Sequence, residues 1–297
     1  MKAPHRLLLP LLLPLLLFGC GQTPALDCTK VGGEPCSPSQ LWPVSPDTNE
    51  VEDPIAFTTE PYGFPAEGEA GLSFLAGKYP ISRENAWVLL SRDETFPVED
   101  CDPNRSGNQR PQPDPDLPFT VEGIVTLHPR YFLKVRVCNE DERYYGSFFI
   151  EDDSGGMVVL QDSRIAELDF GDRVRIRARA LLDYFDVHAI LIPEIVEVIE
   201  HGVPIHYEEK TNPFNQTDWN RVRRIRGEVV QASTDHNFNE AAVSDGQNTW
   251  LVSIDRELAN RNVSLEVGDR VEVTGPVLSS FGQKIVVLSV GQIRYLP

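Results

Sequence analysis

Apolar positions along this chain fall into three textures. The first is an almost unbroken leucine run from Leu7 to Phe18, interrupted only by Pro10 and Pro14 and preceded by Lys2, His5 and Arg6. It is too short for a spanning helix, which takes about 20 residues; with its basic flank it reads as a secretory signal over residues 1–19. From Cys20 to about Pro54 the chain has no apolar period and is rich in Pro, Gly, Ser and Thr, the composition of a tether (20–54). Residues 55–116 carry apolar side chains, but Pro61, Pro65, Pro80 and Pro97 divide them, so long helices or strands are excluded and a largely irregular segment is expected. Within it Glu84 to Leu90 fits a short helix or a strand, and Asp102 to Pro118 reads as an exposed loop.

At Leu117 the pattern changes to short alternating runs of Val, Ile, Phe and Tyr separated by Gly and Asp turns, an all-β signal. The first set is Phe119–Leu127, Phe132–Val137, Tyr144–Ile150 with Met157–Leu160, Arg173–Ala180 and Val187–Ile199. The second is Val222–Gln231, Glu240–Val243 with Trp250–Ile254, Arg270–Thr274 and Lys284–Ile293. The sets repeat one unit. Gly171-Asp172-Arg173-Val174 recurs as Gly268-Asp269-Arg270-Val271, and Val121-Glu122-Gly123-Ile124-Val125 is answered by Ile225-Arg226-Gly227-Glu228-Val229. Each copy has a glycine inside a long first strand, where a barrel must bend sharply, and a short link before strand four: Ser163 to Phe170, with Ile165 and Leu168 facing inward, and Arg256 to Val267.

This order of strands, turns and link resembles the OB-fold, the five-stranded Greek-key barrel, and in particular the tandem OB modules of secreted bacterial proteins. The resemblance rests on Val121–Val125, the run Ile150-Glu151-Asp152-Asp153-Ser154-Gly155, Gly171–Val174, Val222–Val230 and Gly268–Val271. It implies an all-β chain with two OB-fold-like five-stranded barrels, residues 117–200 and 201–297. Some such modules accompany extracellular nuclease domains, but none follows here, so no activity is carried over with the fold.

Alternation suggests which side chains share a face. Phe132, Lys134 and Arg136 point away from Leu133, Val135 and Val137; with Phe148 and Ile150 inside, Tyr145, Ser147 and Phe149 are expected outside. OB-folds bind oligomers on that face, with bases or sugars stacked on aromatics and cations tracking phosphates. Arg173, Arg175, Arg177 and Arg179 form a cationic stripe on strand four. These nine residues (Phe132, Lys134, Arg136, Tyr145, Phe149 and the four arginines) are the candidate ligand face. Two competing readings stand beside it. The arginines could be a solvated face paired with carboxylates such as Asp183, Asp186, Glu194 and Glu197. The aromatics could be covered by Phe57, Phe64, Phe74, Leu75, Trp87, Leu89 and Leu90 of the preceding segment.

Charge narrows the partners. The net charge is −18, and −20 once Lys2 and Arg6 leave with the signal. Acidic against basic residues number 17 to 6 over 27–116 (−11), 16 to 9 over 117–200 (−7) and 12 to 10 over 201–297 (−2). Such a chain repels polyanions at long range and is a poor generic nucleic-acid binder. Cys28, Cys36, Cys101 and Cys138 suit two disulfides in an oxidising compartment, with three connectivities open. No Cys/His spacing fits zinc. Asp102, Asn104 and Ser106 with Gly107 resemble the opening of a calcium loop, but position twelve is Pro113 instead of a bidentate Glu, so a solvated turn is expected and no metal or other cofactor is assigned. The acidic run 151–156 is likewise expected to be a turn. His128, His188, His201, His206 and His236 stand beside no nucleophile motif, and no enzyme is expected.

Leu17-Phe18-Gly19-Cys20 resembles the lipobox of bacterial lipoproteins. The resemblance implies cleavage before Cys20, a diacylglyceryl group on its sulfur and an acyl chain such as palmitate on its amino group. Gly21 lacks the aspartate of the inner-membrane sorting rule, which implies the outer membrane. The sequence thus predicts a lipid-anchored envelope protein whose two barrels are a non-catalytic binding or scaffolding module with a protein partner. A single-stranded nucleic-acid or anionic-glycan binder and an accessory subunit of a secreted hydrolase are the alternatives.

Overall fold

The computed structural model describes residues 55–65, 71–77, 87–92, 112–137, 141–161, 168–184, 187–233, 239–254, 258, 263–280 and 282–297. Cys20, the tether, the four remaining cysteines and Asp102, Asn104 and Ser106 lie outside them. The elements in chain order are β1 (Phe57–Thr58), α1 (Leu72–Gly77), β2 (Trp87–Leu90), β3 (Gln112–Pro113), β4 (Phe119–Val137), β5 (Asp141–Glu151), β6 (Gly156–Gln161), β7 (Arg173–Tyr184), β8 (Val187–Glu200), β9 (Ile205–His206), β10 (Glu208–Glu209), β11 (Val222–Gln231), β12 (Glu240–Ser244), β13 (Thr249–Ile254), β14 (Arg270–Ser279), β15 (Gln283–Val287) and β16 (Ile293–Tyr295). The chain is all-β, as its alternating pattern predicts.

Two sheets share one strand order. In the C-terminal module β11, β12, β13, β15 and β14 pair in turn and β14 returns to β11, a closed circuit with a parallel pair between its third and fifth strands. That is the Greek-key order of an OB barrel. Four residue pairs join β13 to β15, and seven join β11 to β14. The N-terminal module repeats the order as β4, β5, β6, β8 and β7, but β6 meets β8 only at Val159–Leu191. The C-terminal sheet is therefore a closed five-stranded barrel, whereas the N-terminal sheet repeats the strand order with a single paired position between β6 and β8.

The two expected strands Phe119–Leu127 and Phe132–Val137 are one strand of 19 residues. Pro129 does not end it, because the pairing with β5 shifts register between Leu127 and Tyr131. An imino acid without an N–H is tolerated where the ladder is interrupted. The true break lies at Asp152–Gly155, which separates β5 from β6.

Each module has its own apolar core. Val121, Val125, Phe148, Ile150, Met157, Val159, Leu168, Val174 and Ile176 fill the first, and Leu72 and Leu75 of α1 plug it. Ile225, Val229, Val243, Trp250, Val252, Leu265, Val271, Val273 and Ile285 fill the second. The Pro-rich segment is thus short elements on a core. Proline confines each to a few residues but not to solvent, and β2 pairs antiparallel with β7, which settles Trp87–Leu90 as strand.

The repeat holds at the level of single hydrogen bonds. Val125 and Gly171 exchange N–H groups with the turn as Val125 N to Asp172 O (2.8 Å) and Gly171 N to Val125 O (2.9 Å); the C-terminal copy has Val229 N to Asp269 O (2.8 Å) and Gly268 N to Val229 O (2.9 Å). Both turn glycines adopt a positive φ, 83° and 97°, a conformation that disfavours other residues.

Candidate interaction face and the seam between modules

Of the nine residues expected to form one ligand face, Phe149 and the four arginines have described side chains, and those of Phe132, Lys134, Arg136 and Tyr145 lie outside the described ones. The backbone pairing of β4 with β5 sets Tyr145 opposite Leu133 and Phe132 opposite Gly146. Phe149, expected outside, is fully buried, as are Ser147 and Val158 in the same row. Period-two alternation does not separate wet from dry positions here, because β5 is buried on both sides: Phe148 and Ile150 look into the core, and Phe149 out of it.

The arginine stripe exists, and the charges of Arg173, Arg175 and Arg177 are answered. Glu122 on β4 takes Arg173 at 2.6 Å and Arg175 at 2.7 Å; Glu194 takes Arg177 at 3.0 Å, and Glu197 and Glu200 stand 3.7 and 3.9 Å from Arg175 and Arg173. Burial alone would raise the Glu122 carboxyl, but hydrogen bonds and charge from Arg175 and Arg173 hold it below its ordinary value. Three cations face four carboxylates. The row is a solvated, paired surface, and of the four partners expected from sequence Glu194 and Glu197 are used. Arg173 also stacks on Phe64, 4.3 Å from its ring centre.

What the structure assembles instead is a seam between the modules. Ile124 of the first module, Val222 of the second, Ile205 of the linker and Ile55, Phe57, Tyr62 and Phe64 of the segment before α1 make one apolar cluster. Residues 55–65 cross it as a strap. β1 pairs parallel with β9, Ile205 N donates to Ala56 O (2.7 Å) and Tyr207 N to Thr58 O (2.9 Å). Tyr207 and Phe57 in turn lie against the Arg224 guanidinium, at 3.5 and 5.8 Å.

The loop after β5 is the hub. Its carboxylates each reach a different body of the molecule. Asp153 accepts the N–H groups of Tyr62 and Gly63, both at 2.7 Å, fixing the strap. Asp152 accepts Leu72 N at 2.9 Å and Ser154 and Gly155 N at 2.8 Å, fixing the start of α1; burial nonetheless raises its carboxyl. Glu151, with no solvent exposure, accepts Arg221 Nε at 3.0 Å and Val222 N at 2.8 Å from the second module. Burial pushes its carboxyl up to about 7 against the opposing pull of Arg221. Next to it Gly156 packs so closely that a Cβ would fall 2.0 Å from the Asn220 carbonyl oxygen. Protein donors reach each of these carboxylates, and no cluster of three or more metal-ligating residues occurs among the described residues. Sequence reasoning read 151–156 as a turn but missed its partners, which lie 70 to 91 residues away and leave no local signal.

A second buried charge cluster serves the C-terminal module alone. Asp218 binds Lys210 at 2.6 Å and Arg223 at 2.7 Å; burial would raise it, but these partners hold it below its ordinary value. Among the histidines, His201 Nδ1 sits 2.7 Å from the buried Asp172 carboxylate, with its ring in solvent and no nucleophile in contact.

No family model matches the sequence, and no characterised protein matches it. Several solved structures share a loose likeness. A replication protein A heterotrimer bound to single-stranded DNA aligns at a TM-score of 0.31 and 15% identity over 60% of this chain, which spans about half, 48%, of that chain. The single-stranded DNA binding protein of Thermus aquaticus aligns at 0.21 and 13% over 60% of this chain and 91% of its own. A murine DNA binding protein bound with double-stranded DNA aligns at 0.29 and 11% over 60% and 97%. Superpositions this loose carry no argument about ligand, and the assignment of fold rests on the strand order above.

Proposed function

We propose that this chain is a lipid-anchored envelope protein whose two OB-like modules act together as a non-catalytic scaffold or protein-binding body. The observation that carries the reading is the state of the face on which OB-folds hold oligomers. In the N-terminal module its row through Ser147, Phe149 and Val158 is filled, and Arg173, Arg175 and Arg177 are paired with Glu122, Glu194, Glu197 and Glu200. Among the described residues of that face a single-strand platform therefore lacks both a free stacking ring at Phe149 and uncompensated charge on these three arginines. The lipobox at Cys20 supports the anchor, Gly21 supports the outer membrane, and a lipid tether raises the local concentration of weak partners near the membrane.

Two measurements test this. Mass spectrometry of the mature N-terminus is expected to find a diacylglyceryl-modified Cys20, and Cys20→Ser is expected to move the protein from the membrane to the soluble fraction; an unmodified thiol removes the anchor. Titration with single-stranded DNA at low salt is expected to show no binding. Binding that weakens steeply with salt would replace the scaffold with a nucleic-acid binder, and recovery of a stoichiometric hydrolase from envelope extract would make the chain that enzyme's accessory subunit.

A further inference from the structure

Among the described residues, Glu151 is the carboxylate that sits without solvent exposure at the point where the two modules interlock. It belongs to β5 of the first module, yet its hydrogen-bond partners are Arg221 and the Val222 amide of the second. The groups around it come from every element packed there. From the second module come Arg221 and Arg223, from the strap Tyr62, from its own loop Asp152 and Asp153, and Glu208 approaches through Arg221. The Tyr62 phenol is pushed above its ordinary value, first by burial and then by the negative charge at Glu151. One carboxylate charge is thus felt by both the strap and the docked module.

We propose that the seam is a proton-gated joint with Glu151 as its gate: protonated, the side chain lets the modules lock together, and ionised, it weakens their docking. The physical reason is the imbalance of a buried ion pair. A single guanidinium and one amide do not repay the loss of water around a carboxylate that has no exposure, so ionisation favours the state in which Glu151 is hydrated. The neutral acid keeps an acceptor oxygen for Val222 N, and Arg221, partly exposed, retains Asp152 and Glu208 nearby.

The sign follows from linkage. With the modules apart, Glu151 returns to water and its ordinary value of 4.5; docked, it titrates at about 7. The docked state therefore holds the extra proton between these limits, so docking is strongest below pH 4.5, declines as pH rises through 7 and is level above. Between pH 5 and 8 the docking constant falls on the order of 50-fold.

Amide hydrogen exchange of the whole protein reads this directly. Val222 reports at the gate, and Val203, whose N–H binds Gly171 O at 2.8 Å, reports from another part of the seam. Protection of both amides, corrected for intrinsic exchange, is expected to drop on the order of 50-fold from pH 5 to pH 8, with the barrel amide of Ile225 unchanged. Glu151→Gln keeps the shape and cannot ionise; it is expected to show less than a threefold change at either reporter. Flat or rising protection in the wild type overturns the proposal, as does an identical pH profile in Glu151→Gln. Should that variant not fold, the wild-type profile at Val203 against Ile225 decides alone.

Discussion

Gly123 and Gly227 hold equivalent places, each opposite the valine of the Gly-Asp-Arg-Val motif, at Val174 and Val271. A Cβ at Gly123 would come 2.9 Å from the Ile150 Cβ, whereas one at Gly227 would come 2.3 Å from the Ser244 carbonyl oxygen. Neither atom can turn aside, because a Cβ is as fixed to its backbone as a ladder carbonyl, but the approach at Gly227 is the closer one. Both substitutions are therefore expected to destabilise by about 1–3 kcal/mol, Gly227→Ala more than Gly123→Ala. Urea denaturation checks both, and an unshifted midpoint for Gly227→Ala contradicts the crowding argument. Single carboxylates also set opposite pH trends. Glu122 is held below its ordinary value, so what it contributes is complete above about pH 4.5 and lost as pH falls through its lower folded value. In Glu122→Gln that acid-side loss of melting temperature is expected to shrink; an unchanged acid limb would show that Glu122 is not its source.

Among elements, the repeat keeps a cross-strand ion pair while reversing its charges. Glu122 on β4 faces Arg175 on β7; at the same place in the second copy Arg226 on β11 faces Glu272 on β14. The geometry of the first and fourth strands asks for opposite charges here but not for a particular polarity. The copies differ in how deeply the acid lies. Glu272 is 6% exposed and gathers Arg226 at 2.6 Å, Arg294 at 2.8 Å and Arg224 at 3.6 Å, while Glu122 is 24% exposed with two arginines. Glu272→Gln is expected to cost about 2 kcal/mol, as for charged hydrogen bonds left incomplete, and Glu122→Gln less than about 1 kcal/mol, the range of solvated pairs. Chemical denaturation of both variants gives the ranking, and the reverse order refutes it. Such pairs also show what sequence could disclose at this scale. The arginine stripe was visible as alternation, and so was its pairing with Glu194 and Glu197, because those residues lie on the next strand. Glu122 was not, since the first and fourth strands meet only after the sheet has curled round.

For the molecule as a whole, the strap fills the seam: Phe57, Tyr62 and Phe64 pack in one cluster with Ile124 of the first module and Val222 of the second. Replacing Phe57 and Tyr62 together by Ala removes two aromatic anchors, each worth about 3 kcal/mol when buried. Calorimetry of the wild type is expected to show one unfolding transition, and of the double variant two, as the modules uncouple. A single unshifted transition in the variant would mean that the modules hold together without the strap. At the same seam Glu151, in line with Phe149 along β5, is bound by Arg221 and Val222 of the second module.

The amino-acid pattern alone determined the β class and the repeated turn-and-strand unit, because period-two alternation and turn glycines are local and read along the chain. The tertiary structure decided which faces are free. Whether Glu122 answers Arg173 and whether the 151–153 carboxylates end a turn or pin distant parts of the molecule depend on partners 51 to 91 residues away. Burial and pairing at such separations are properties of the assembled chain, and no window of sequence contains them.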